Sequence, residues 1–165
     1  MTVLTEGHLQ ITLPPGVVGR KFDDASHGLS HCMQAVDFII DLPDQIWFVE
    51  FRDPEAGTEP NQKYIEQFRS GTLDHELKTK LRDSWLYEWA CGRTGKPIHF
   101  YVVIGASNLK KGDLLTRTDQ LKKKIPFPAP KKRGWHQTFI AGCLVMNLAT
   151  WNQTFPDYPV RRIRP

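Results

Sequence analysis

Between Ala35 and Asp53 the chain is apolar and β-branched almost without interruption, yet it carries charges where a core disfavours them. Ala35-Val36-Asp37-Phe38-Ile39-Ile40-Asp41-Leu42 ends in the turn pair Pro43-Asp44. Gln45-Ile46-Trp47-Phe48-Val49-Glu50-Phe51-Arg52 follows and stops at Asp53-Pro54. Two such runs around so short a turn predict an antiparallel hairpin. Both runs are apolar on each face, so the strands belong inside a sheet covered on two sides. Asp37, Glu50 and Arg52 therefore stand out. Strand residues two apart share a face, so Glu50 and Arg52 point together, and a hairpin partner can set Asp37 beside them.

The remaining elements complete an α/β pattern. Leu9 to Leu13 alternates and predicts a short strand closed by Pro14-Pro15-Gly16. Asp23 to Met33 reads as a short surface helix, and Pro60 to Phe68 as one or two helical turns. Thr72 to Cys91 is the strongest helix: Leu73, Leu77, Leu81, Trp85 and Trp89 recur at i+4 and predict one buried face. Thr72 suits its N-cap, Asp74 and Glu76 its first turn, and Gly92 its exit. Pro97 to Gly105 predicts a buried strand, Asp113 to Lys124 a helix, and Phe139 to Leu148 a last strand. A turn or short helix at Ala149 to Phe155 and a basic tail from Tyr158 follow. This order predicts a mixed α/β fold, a central mixed sheet that contains the hairpin and is flanked by helices. The 165 residues suit a single domain over 1–165. Its core would lie in 30–105, with a basic helix, Pro-rich loop and final strand in 106–165.

Charge divides the chain. Residues 1–100 carry a net −5 and residues 101–165 a net +9, for +4 in all. Residues 110–133 hold nine Lys and Arg against two Asp, with Phe127, Trp135 and His136 close by. Cations interleaved with aromatics suit a phosphate backbone and stacked bases. Lys110, Lys111, Lys122, Lys123, Lys124, Lys131, Lys132 and Arg133 are thus the candidate nucleic-acid contacts, with a solvated basic face as the alternative. No helix-turn-helix or zinc-finger pattern points to base-specific readout.

Other classes find little support. Cys32, Cys91 and Cys143 are odd in number and form no CxxC, which argues against a zinc ribbon or a disulfide framework and for a reducing cytoplasm. No apolar run approaches the roughly 20 residues of a membrane span. The first residues do not read as a secretory leader. Gly105 to Gly112 lacks a phosphate-loop pattern, so no nucleotide cofactor is expected, and no GxSxG suggests a serine hydrolase. His27 and His31, with Asp23 or Cys32, could hold a transition metal, although a surface pair is the plainer reading. Asp23 or Asp24 could also approach a metal at the main site.

Val36-Asp37-Phe38, a turn, then Val49-Glu50-Phe51-Arg52, with a helix and another strand behind them, resembles the signature of the PD-(D/E)XK nuclease superfamily. The resemblance covers roughly residues 30–105 and implies a restriction-endonuclease-like core. It implies that Asp37 and Glu50 bind Mg²⁺ or Mn²⁺ and that, with Arg52, they cleave DNA in prokaryotic genome defence or DNA processing. The alternative is a catalytically degenerate scaffold subunit of a larger DNA-acting complex. The chemistry stands without the family: two close carboxylates raise each other's proton affinity unless they share a cation. Mg²⁺ takes carboxylate oxygens, keeps waters and meets substrate phosphates. The chain departs from the family pattern at Arg52, where a lysine belongs, because arginine stays charged and is a poor base. Either Arg52 takes the lysine's place and stabilises developing negative charge, or a lysine from elsewhere, with Lys63 as the candidate, reaches in. Val36 replaces the motif proline, which carries no chemistry.

Overall fold

The computed structural model describes residues 1–57, 59–129 and 134–163. In chain order its elements are β1 (Thr2–Glu6), β2 (Leu9–Leu13), β3 (Val18–Lys21), β4 (Phe38–Asp41), β5 (Ile46–Arg52), α1 (Gln62–Ser70), α2 (Asp74–Ala90), β6 (Ile98–Ile104), α3 (Lys111–Lys122), β7 (Gly142–Asn147), α4 (Leu148–Thr154) and β8 (Val160–Arg162). Five strands form one sheet in the order β3-β4-β5-β6-β7, and β1-β2-β8 form a second. The predicted hairpin is present, with Phe38 opposite Val49 and Asp41 opposite Ile46. β5, β6 and β7 run parallel, which requires crossovers; α1 with α2 supplies the first and α3 the second. The fold is therefore mixed α/β, with a mixed central sheet.

Each face of the five-stranded sheet is covered, which is why its strands show no polar alternation. On one face Ile39, Ile46, Phe48, Phe100 and Val102 pack with Ile65, Phe68, Leu77, Leu81, Leu114 and Leu121 of the three helices. On the other, Phe38, Ile40, Trp47, Val49 and Val103 pack with Leu9, Ile11, Leu13 and Val160 of the small sheet and with Trp151 of α4. Trp151 is fully buried, and its Nε1 donates to the Tyr158 carbonyl at 2.7 Å. Asn152 fastens Val160 twice, donating from Nδ2 to its carbonyl at 2.9 Å and accepting from its N–H at 2.8 Å. Those bonds hold β8 in place beside β2.

Several expectations are corrected. The helix predicted over Asp23 to Met33 is only a 3-10 turn at Ala25–His27. The Asp24 side chain accepts from Ser26 N, and Gly28 at φ +70° ends the turn, so no apolar stripe develops to carry it further. α2 begins at Asp74 with Leu73 before it and no side-chain cap, whereas Thr72 Oγ1 lies 2.9 Å from Ser70 Oγ. Trp89 is 54% exposed while Leu77 and Leu81 are buried. A strict four-residue repeat drifts by about 40° per step on a helix of 3.6 residues per turn, which carries Trp89 off the buried face. The basic tail contains strand β8, and β1 and β3 are strands the sequence pattern does not predict; both are short, and none of their residues is buried. Among the described residues no helix is long and apolar enough to cross a membrane.

Candidate active site

The side chains of Glu50 and Arg52 lie on the helix-covered face of β5, with α2 crossing them. Every fourth residue of α2 on that side is polar: Glu76, Lys80, Ser84 and Glu88. At about 40° of drift per step this row winds slowly round α2 as the helix crosses the sheet. Each meets a polar group on the sheet. Glu76 accepts from Arg52, Lys80 meets Glu50, Ser84 Oγ accepts from Val36 N at 2.9 Å, and Glu88 accepts from Arg20. The helix thus buries a polar stripe beside its apolar one, and the sheet satisfies it.

Three predicted residues converge there. Asp37, just before β4, is 3% exposed and Glu50 is 1% exposed. Asp37 Oδ2 accepts from Phe51 N at 2.6 Å, and Glu50 Oε2 accepts from Asp37 N at 3.3 Å. The remaining oxygens approach one ammonium: Lys80 Nζ lies 3.0 Å from Glu50 Oε1 and 3.7 Å from Asp37 Oδ1. Asp23 Oδ2 meets the same ammonium at 3.3 Å. Arg52 Nη2 bridges Glu50 Oε1 at 2.8 Å and Glu76 Oε1 at 2.6 Å. Lys80 lines a cavity of about 240 Å³ with Asp23, His27, Gln34 and Glu76. Arg52 lines a separate cavity of about 310 Å³ with His8, Asp53 and Tyr64.

Burial dominates the charge states. It pushes the Asp37 carboxyl up to about 6, against the pull of Lys80 and the Phe51 N–H. It pushes Glu50 up to about 8, and the neighbouring Asp37 charge adds to the rise. Burial also works against the Lys80 ammonium, but Glu50 and Asp37 outweigh it and hold its pKa above the ordinary lysine value. Lys80 is therefore a charged hydrogen-bond donor near neutrality. Arg52 is likewise held charged, because Glu50, Tyr64 and Glu76 offset its desolvation.

The other predicted residues fare differently. Lys63 is exposed on α1 and forms no ion pair among the described residues, so the lysine that reaches the carboxylates is Lys80. The i+4 spacing of Glu76, Lys80, Ser84 and Glu88 marks a polar row on α2, but nothing in the sequence pairs Lys80 with the two acids. His27 and His31 do not form a metal site. His27 Nδ1 accepts from Leu29 N at 3.0 Å while its ring packs on Phe22 and Tyr87, and His31 is exposed. Asp24 caps its 3-10 turn, whereas Asp23 joins the cluster through Lys80. Lys110 and Lys111 stand at one end of α3, and Lys122, Lys123 and Lys124 at the other. Lys124 is engaged by Asp74 at 2.7 Å, and Lys122 sits 5.5 Å from the Phe127 ring centroid. Lys131, Lys132 and Arg133 lie outside the described residues.

Among the described residues no three His, Cys, Asp or Glu side chains gather at metal-binding spacing. Mg²⁺ does not require three, since it keeps waters and completes its shell with substrate phosphate. Asp37 and Glu50 suit it: both are hard, buried oxygen donors with one oxygen fixed by a backbone N–H, and their other oxygens already share a cation. Comparison with known protein families, curated proteins and solved structures finds no match to this chain.

Proposed function

We propose that the chain is a PD-(D/E)XK-like, metal-dependent DNA phosphodiesterase in which Lys80, from α2, serves in place of the strand lysine. The observation that carries this reading is the buried Asp37–Glu50 pair, whose unfixed oxygens turn toward the Lys80 ammonium. Asp37 and Glu50 would hold Mg²⁺ or Mn²⁺, which when bound polarises a phosphoryl oxygen and acidifies a water. Lys80, charged at neutral pH, donates hydrogen bonds to charge that develops on the phosphoryl group. Arg52 acts on the carboxylates, since its Nη2 ties Glu50 to Glu76 and keeps both oriented. Plasmid nicking with Mg²⁺ or Mn²⁺ tests the reading. Lys80→Met should lower the rate by about 10²–10³ while metal binding persists. Asp37→Asn with Glu50→Gln should abolish both. Wild-type protein that neither binds metal nor nicks DNA overturns the proposal.

One observation favours a second reading, a degenerate scaffold subunit. Lys80 and Arg52 already engage the buried carboxyl groups, as a purely structural polar network would. Under it the same substitutions leave assembly with a DNA-acting complex intact.

A further inference from the structure

Glu88 is the last member of the polar stripe on α2, eight residues beyond Lys80, and the proposed chemistry makes no use of it. Its side chain is 3% exposed and holds two arginines. Arg20 Nη2 donates to Oε1; Arg93 donates from Nε to Oε2 at 2.7 Å and from Nη2 to Oε1 at 2.9 Å. Burial alone would raise the Glu88 pKa, but the hydrogen bonds from Arg93 and Arg20 outweigh it and hold the carboxyl below its usual range. Each guanidinium also rests on an aromatic ring, Arg20 at 5.0 Å from the Phe22 centroid and Arg93 at 6.0 Å from that of Tyr87. Both are thus held from two sides, yet their side chains remain 39% and 48% exposed. Arg20 Nε and Nη1 donate to no protein group among the described residues, and beyond Glu88 the Arg93 guanidinium has the Cys91 side chain beside it.

Both arginines line a cavity of about 320 Å³, together with Lys96. Val18, Ile39 and Ile46 form its apolar wall. A Cβ at Gly92 or Gly95 would meet nothing within 4 Å, so the rim there is open. Arg20, Arg93 and Lys96 face only Glu88 and Asp41, which leaves the lining one positive charge in excess. A buried glutamate needs one cation for its own sake. Two guanidiniums fixed by it and lining one cavity suit an oxyanion with several acceptor oxygens. Fixing them beforehand removes ordering cost from binding. The volume and the apolar wall with a few polar groups fit a small-ligand site.

We propose that this cavity binds a small organic phosphate, its phosphoryl oxygens on Arg20 and Arg93 and its planar or apolar body on Val18, Ile39 and Ile46. The site is independent of the phosphodiesterase reading, because it shares no residue with the Asp37–Glu50–Lys80 cluster. Calorimetric titration of the full chain with phenyl phosphate and with inorganic phosphate tests it. Phenyl phosphate should bind about tenfold more tightly than inorganic phosphate. Arg20→Gln and Arg93→Gln should each weaken it about tenfold or more. Lys80→Met should leave it unchanged, with nicking assayed on the same samples. Arg93 is half exposed, so Arg93→Gln remains a test if Arg20→Gln fails to fold. Three outcomes overturn the proposal: no heat of binding with phenyl phosphate at about 10 mM, affinity unaffected by Arg93→Gln, or affinity lost with Lys80→Met.

Discussion

A carboxylate removed from water must be compensated or protonated. Asp37 and Glu50 have folded pKa values of about 6 and about 8, above the 3.8 and 4.5 of the free groups. The folded protein therefore binds these protons more tightly than the unfolded chain. Their contribution to stability is present at acidic pH and is lost as pH rises through 6 and then 8. Metal binding takes the deprotonated form, so added Mg²⁺ acts in the opposite sense. Thermal melts without metal should show wild type losing stability toward alkaline pH more steeply than Asp37→Asn/Glu50→Gln. Mg²⁺ should raise the wild-type midpoint above pH 8 and have little effect below pH 6. Equal slopes for the two proteins would mean that the carboxylates ionise as freely folded as unfolded. This burial is legible in the sequence, since both acids sit in apolar runs. The cation that answers them is not, because Lys80 follows Glu50 by thirty residues and lies on another element.

Among the elements, the α1–α2 junction decides which side chains reach the site. Gly71 ends α1 at φ +82°, and a Cβ there would fall 2.5 Å from Arg117 Nη2. Arg117 reaches from α3 to Asp74, at the first turn of α2, where Lys124 also bonds. That buried group sets where α2 begins, and hence that Glu76 and Lys80 meet β5. Gly71→Ala should therefore cost both left-handed backbone strain and the Arg117–Asp74 pair, about 3 kcal/mol or more. Gly92→Ala makes the control: its φ is +71°, but a Cβ there is unobstructed, so only the backbone cost of about 1 kcal/mol applies. Urea denaturation of both variants measures the difference. Equal destabilisation would show that the Arg117–Asp74 pair is dispensable. Gly71 is readable as a helix end from its type alone, but nothing local announces that an arginine forty-six positions later occupies the space above it.

At the scale of the whole molecule, the described part of the basic half sets lysines at both ends of α3. α3 has 12 residues, so its two lysine clusters stand about 18 Å apart along the axis. If DNA tracks this helix, Lys110→Glu/Lys111→Glu and Lys122→Glu/Lys123→Glu should each weaken binding. Each should also flatten the salt dependence, by about 0.9 for every phosphate that is no longer neutralised. A DNA titration across salt concentrations measures both, and an unchanged slope for one pair removes that end of α3 from the path. The covered hairpin, the buried strand β6, helix α2 and the buried acids all follow from the sequence itself. Period and apolarity are local properties, and they encode burial directly. The edge strands β1, β3 and β8 are short and carry too weak a period to be read. The pairing of Lys80 with Asp37 and Glu50, and of Glu88 with Arg20, was decided by tertiary structure alone. Which polar group meets which depends on the face of α2 that lands on the sheet, and on a register set by Gly71, Asp74 and Arg117.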